Sequence, residues 1–227
     1  MQTSDSDTPP GFFDPHQRAT VAAAMARIIP TDDAPGAAEA GTIDFLDRYL
    51  SGISSIFARP DGSGFEVLAG KQAAAWRERI SALREKYVAG IADLDRVSQA
   101  LCGDQFVHLA PAEQDHVLTE LERPSERQEA AAAAEASVAY SEPGLQQMVG
   151  ESDLDFFPLL VLHTRQGFYS DPIYGGNRDL IGWKVIDFPG PASLAETHAG
   201  RYSTLPFFAP GAVDAAKEAA SAGEAEA

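Results

Sequence analysis

The chain carries a single cysteine, Cys102, among its 227 residues. One thiol cannot build an intrachain disulfide, a cysteine-rich zinc site or a covalent haem attachment. Cys102 follows Leu101 near the end of a helical pattern and reads as a small buried residue. Basic residues are also scarce, with 17 Lys and Arg against 34 Asp and Glu and a formal net charge of −17. Nucleic acid and anionic membrane surfaces both require a basic patch, so neither is an expected partner. No window approaches the roughly 20 apolar residues that span a bilayer, which excludes direct insertion by a helix. Met1 to Pro10 has no basic residue and no apolar stretch, so it does not read as a secretory signal.

The specific catalytic signatures are missing as well. There is no G-x-S-x-G, no H-E-x-x-H, no cysteine pair and no G-x-G-x-x-G after a strand. Gly70-Lys71-Gln72 lacks the Ser or Thr of a phosphate loop, and its upstream glycine is at the wrong spacing.

What is present is an ordinary globular composition, 44% hydrophobic, in a chain long enough for one substantial core. Helical periodicity dominates. Asp14-Pro15 opens a first helix with a capping side chain and a proline at its first position, and Pro30 closes it after Val21, Met25, Ile28 and Ile29. A second apolar stripe, Ile43, Leu46, Leu50, Ile53 and Phe57, predicts a second helix, with Asp44, Asp47 and Arg48 opposite. Arg59 to Gly64 is a loop by composition. The longest stripe, Trp76, Ile80, Leu83, Tyr87, Ile91, Leu94, Val97 and Leu101, predicts a helix over 72–101 that Gly90 bends or divides. Pro111 starts a further helix, and Leu154 to His163 reads as a core helix.

The expected fold is all-α, an irregular bundle of about five or six helices with an ordered aromatic and glycine-rich C-terminal segment. A flexible N-terminus over 1–11 and a single helical domain over 12–210 are expected. So are an alanine-rich insertion at 123–141 and a disordered acidic tail over 211–227.

The densest signal lies between Thr164 and Pro191. Asp171-Pro172 sets an extended or turn conformation, and Gly175-Gly176-Asn177 supplies the residues that best tolerate positive φ. With Phe168, Tyr169, Tyr174, Trp183 and Phe188 interleaved, the segment reads as an ordered loop over an apolar surface. The order Thr164, Gly167, Phe168, Ser170, Asp171, Pro172, Tyr174, Gly175, Gly176, Asn177, Gly182, Trp183, Pro189, Gly190 resembles the terminal block of the gluconate 2-dehydrogenase subunit 3 family. Upstream, Ile28-Ile29-Pro30, Thr31-Asp32-Asp33, Pro35-Gly36-Ala37 and Phe45-Leu46-Asp47 are similar to that family's opening helices. The spaced Gly103, Phe106, Leu109, Glu113 and Gln114 are similar to a further element of the family. The resemblance runs over roughly residues 13 to 191.

That resemblance implies a non-catalytic accessory subunit of a sugar or polyol dehydrogenase complex. In such a complex a partner of the glucose-methanol-choline type binds FAD and performs the hydride chemistry, sometimes beside a cytochrome c subunit. No cofactor is expected in this chain, and no catalytic activity of its own. The small subunit supports folding, maturation or stability of the flavoprotein. In a variant of the reading it also shapes the substrate mouth, through an aromatic ring or the Asn177 amide. The expected partner contact is Phe168, Tyr169, Asp171, Pro172, Tyr174, Gly175, Gly176, Asn177 and Trp183, rigid turns joined to large rings. Many family members carry a twin-arginine export signal. As sequenced this chain is expected in the cytoplasm, or in the periplasm if a signal was removed or if it is exported with its partner.

An alternative is a stand-alone hydrolase or lyase using Asp171 and His163. Each has a plainer reading, Asp171 as a turn aspartate bonding its own backbone and His163 as a hydrogen-bonded core or interface histidine. Asp32-Asp33 and Asp44-Asp47 read as solvated helix-end charges. His108 and His116 flank a helix start, without metal-ligand spacing.

Overall fold

The computed structural model describes residues 11–122 and 151–190. Most of the expected flexible N-terminus, the alanine-rich 123–141 and the acidic tail from 211 lie outside the described residues. The described residues form six α-helices: α1 (Pro15–Ile28), α2 (Thr42–Ser51), α3 (Gly70–Cys102), α4 (Pro111–Glu122), α5 (Phe156–Tyr169) and α6 (Ile181–Val185). Among them there is no strand, only an isolated bridge between Ala58 and Phe65. The fold is all-α, as expected.

Local chemistry explains the first boundaries. The Asp14 carboxylate accepts the Gln17 N–H at 2.8 Å, and the Gln17 side chain accepts the Asp14 N–H at 3.2 Å. This reciprocal cap satisfies donors that the first turn leaves unpaired, with Pro15 at the first helical position. α2 is shorter than its apolar stripe suggests. Gly52, at φ 151°, stops it, so Ile53 falls in a 3₁₀ turn and Phe57 stands in the loop, 37% exposed.

α3 runs unbroken through Gly90. That glycine permits a close approach rather than a bend, because a Cβ there would overlap the Phe156 ring at the start of α5. At the far end of α3, Leu101 is 46% exposed and Cys102 only half-buried, so neither belongs fully to the core.

One core joins the helices. α1 touches α2, α3, α4 and α5, while α5 packs most extensively on α2. Val21, Met25, Leu46, Leu50, Leu83, Tyr87, Leu94, Phe106, Val117, Leu159 and Leu160 are buried in it. Each large side chain contributes about 1.5–3 kcal/mol by leaving water. No helix among the described residues is long and apolar enough to cross a membrane.

The charges at Asp44 and Asp47 do more than face solvent. Asp47 accepts the Phe13 N–H at 3.0 Å and an Arg18 N–H at 2.9 Å, and Asp44 pairs with both Arg18 and Arg178. They tie α1 and the C-terminal segment to α2, a non-local role that helix-end statistics do not reveal.

Candidate functional site: an aromatic cleft behind a stapled terminal block

Beyond α5 the chain is held by a series of internal hydrogen bonds. Asp171 accepts the Ile173 N–H at 2.9 Å, which starts a 3₁₀ turn over Pro172–Tyr174. Asn177 is fully buried; its amide donates to the Ser170 carbonyl at 2.8 Å and accepts the Gly182 N–H at 2.8 Å. Asn177 sits at φ 50°, a left-handed conformation that asparagine tolerates better than most residues. The Trp183 indole donates to the Tyr169 carbonyl at 2.7 Å, and the Arg178 N–H donates to the Ala40 carbonyl at 2.9 Å. Gly176 and Gly182 lie against backbone, where a Cβ would overlap the carbonyl oxygens of Gly167 and Phe168 respectively. The block is therefore an internal clasp on the end of α5.

This placement sorts the residues expected to meet a partner. Phe168, Asn177 and Trp183 are buried within the chain, and the Asn177 amide bonds Ser170 and Gly182 there rather than facing outward. Gly175 and Gly176 pack against α2 and α5. Asp171 and Pro172 form the turn. Tyr169 is 38% exposed, and the Tyr174 hydroxyl accepts the Ala58 N–H at 3.3 Å. Tyr169 and Tyr174 both line an open cleft of about 530 Å³.

The cleft is built by elements far apart in sequence. Phe45 and Tyr49 come from α2, Ile56 and Phe57 from the following loop, and Trp76 and Arg79 from the first turns of α3. Glu151 enters from a 3₁₀ turn over Glu151–Asp153, and Gln166, Tyr169 and Ser170 come from the end of α5. Phe57 meets Trp76 edge to face with centroids 5.6 Å apart, and the Arg79 guanidinium lies 4.9 Å from the Trp76 ring centroid.

Behind the cleft lies a polar chain. The Arg79 Nε donates to Glu151 at 2.7 Å, the Tyr49 hydroxyl donates to it at 3.2 Å, and His163 Nε2 is hydrogen-bonded to its other oxygen. His163 Nδ1 shares a 2.7 Å hydrogen bond with the Tyr87 hydroxyl. Burial alone would raise the Glu151 carboxyl, but His163 and the Arg79 guanidinium outweigh it and hold it down at about 2. Burial and the neighbouring Glu151 push the Tyr49 hydroxyl well above its usual range, and burial does the same to Tyr87. Both hydroxyls therefore keep their protons, and Glu151 is an ionised acceptor surrounded by donors.

His163 is thus the hydrogen-bonded core histidine of the plainer reading, with no exposed surface. Asp171 bonds its own backbone, and no hydrogen bond joins it to His163; the two do not form a reactive pair. His108 and His116 pair instead with Asp104 and Glu120, and no metal-ligating group of three or more occurs among the described residues. Glu151 and Arg79 gave no sequence signal, because they lie 72 positions apart and flank no motif.

The family model for gluconate 2-dehydrogenase subunit 3 matches residues 15–190. No curated protein and no solved structure matched the chain.

Proposed function

The chain belongs to the gluconate 2-dehydrogenase subunit 3 family, and from that premise we propose that it is the accessory subunit of an FAD-dependent sugar or polyol dehydrogenase complex. Its partner on this reading is a catalytic flavoprotein of the glucose-methanol-choline type, and FAD is held by that partner. A cytochrome c subunit is a further member of the complex in the fuller form of the proposal. On this reading the chain acts in the cytoplasm, or in the periplasm if a signal was removed or if it is exported with its partner.

The family match across the described core carries the reading. The terminal block supports it in a specific way. Its buried polar groups hold the chain itself, and Tyr169 is its exposed ring, at the rim of the cleft. A subunit that binds the folded flavoprotein but not its unfolded chain stabilises the fold by mass action, about 2.7 kcal/mol when free subunit stands at 100 times Kd. No catalytic group of its own is needed for that effect.

Co-purification tests it. A tagged flavoprotein encoded beside this chain should retain it in a fixed ratio through gel filtration. Elution of the two as separate species at micromolar concentration would contradict the reading.

A further inference from the structure

We propose that the aromatic cleft is a small-molecule site for a flat aromatic carboxylate, held by the open edge of the Arg79 guanidinium. The inference goes beyond the subunit reading and does not depend on it.

The cleft has the make-up of a ligand site. Its volume of about 530 Å³ lies in the range that takes small molecules, and its walls are mostly rings with a few polar groups among them. Such walls hold a flat apolar body by removing it from water and meeting it ring to ring. Phe45 and Tyr49 from α2 contribute a stacked pair with centroids 6.0 Å apart, and Phe57 and Trp76 an edge-to-face pair.

The polar anchor is one side of a guanidinium. An arginine carries five N–H groups in a rigid fork, and each edge of the fork matches a planar carboxylate. Arg79 uses the edge made by Nε and Nη2 on Glu151. Nη1 makes no hydrogen bond among the described residues, and the side chain is 42% exposed where it lines the cleft. The second edge, Nη1 with the remaining N–H of Nη2, is open to an acid. The Trp76 ring centroid lies 4.9 Å from the same guanidinium, so an acid bound at this edge sets its own ring among the walls. A second cation stands at the rim, where the exposed Arg48 donates to Ser55 of the lining at 3.2 Å. Ser170 lines the cleft too, and its buried hydroxyl has no hydrogen-bond partner among the described residues. An unpaired hydroxyl costs stability, which favours a polar ligand atom on that wall.

Charge narrows the class. Glu151 is ionised on the far edge of Arg79, so the site accepts one negative charge and opposes a second, which favours a carboxylate over a phosphate dianion. A polyhydroxylated acid such as gluconate could offer the same carboxylate, but it would set its hydroxyls against rings that cannot pair them.

The experiment titrates the full chain with 2-naphthoate, 2-naphthamide and gluconate by calorimetry, and repeats the titrations on Arg79→Lys, Tyr169→Ala and the control Val88→Ala. Arg79→Lys keeps a cation beside Glu151 and removes the fork. Val88 is 46% exposed on α3, outside the cleft. The expected result is saturable binding of 2-naphthoate, about tenfold or more tighter than of the other two ligands. It should weaken by about tenfold or more in Arg79→Lys and Tyr169→Ala and stay unchanged in Val88→Ala. The preference for the acid over the amide should vanish in Arg79→Lys, an effect that damage to the fold would not produce, because it compares two ligands on one variant. No saturation by 2-naphthoate at about 1 mM, equal affinity for acid and amide, tighter binding of gluconate, or unaltered binding in both cleft variants would overturn the assignment. So would release of a bound flavoprotein by Tyr169→Ala with 2-naphthoate affinity untouched, which would give the cleft to the partner. If Arg79→Lys lowers the melting temperature, Tyr169→Ala and the acid-to-amide comparison on the unaltered chain decide. Failure of the chain to hold any flavoprotein bears on the subunit reading alone.

Discussion

The Trp183 indole N–H reaches the Tyr169 carbonyl oxygen at 2.7 Å, so the buried end of the terminal block is fastened to the residue that stands at the rim of the aromatic cleft. The most conspicuous ring in the sequence is therefore a fastener, and the exposed ring beside it is the one that lines the cleft. Trp183→Phe keeps most of the packing and removes the donor. It should cost about 1 kcal/mol in denaturant unfolding, and a larger loss of 2-naphthoate binding than of stability would show that Tyr169 depends on this fastening.

Asn177 is the tightest point of the clasp. Asn177→Ala strands the buried Gly182 N–H and the Ser170 carbonyl and puts alanine at positive φ. The expected loss is on the order of 2–4 kcal/mol in urea unfolding. Asn177→Asp keeps the acceptor for Gly182 but sets a buried carboxylate oxygen against the Ser170 carbonyl, so it should lose at least as much. Equal stabilities for all three proteins would remove the clasp from the account.

Gly182→Ala would drive a methyl group into the Phe168 carbonyl oxygen, an obstacle that belongs to the backbone and cannot rotate away. A destabilisation of about 3 kcal/mol is expected from such overpacking. The thermal midpoint of the isolated chain reads it directly.

Much of this architecture was legible in the sequence where its causes are local. The Asp14-Pro15 cap, the stop at Pro30, the start at Pro111 and the turn at Asp171-Pro172 each depend on neighbours within three or four residues. The end of α2 was misread because Ile53 and Phe57 keep helical spacing while Gly52 has already left the helix. The block itself was recognised, but its buried and exposed rings could not be separated, since that depends on how α5 and α2 pack. Glu151 was out of reach altogether. Its partners Tyr49, Arg79 and His163 lie 102, 72 and 12 positions away, and nothing local marks it.

Gly90 and Phe156 should behave as a coupled pair. Gly90→Ala gains about 1 kcal/mol of helix propensity but meets the Phe156 ring, so a net loss of about 1–2 kcal/mol is expected. In a Phe156→Leu background the same change should be near neutral or favourable. A double-mutant cycle with no coupling energy would show that the two do not touch.

Glu151 makes stability depend on acid. Its folded value, about 2, lies below the ordinary 4.5, so its contribution is fully present above the ordinary value. It is lost as pH falls through the interval from about 4.5 to about 2. Among the groups facing it, Arg79 stays charged and Tyr49 stays protonated across that window. Urea unfolding between pH 6 and pH 2.5 should show the decline in the wild type and a shallower one in Glu151→Gln. Identical slopes would contradict the role assigned to this carboxylate.

The central claim is that this chain supports a flavoprotein, and the flavin content of that partner tests it most directly. A candidate flavoprotein, preferably one encoded beside this chain, should be produced with and without it, and FAD per protein and dye-linked sugar oxidation measured on equal amounts of soluble partner. The account predicts that both rise with the chain present, that Asn177→Ala reduces the rise, and that the chain alone oxidises nothing. Full flavin occupancy and full activity in the absence of the chain would contradict it.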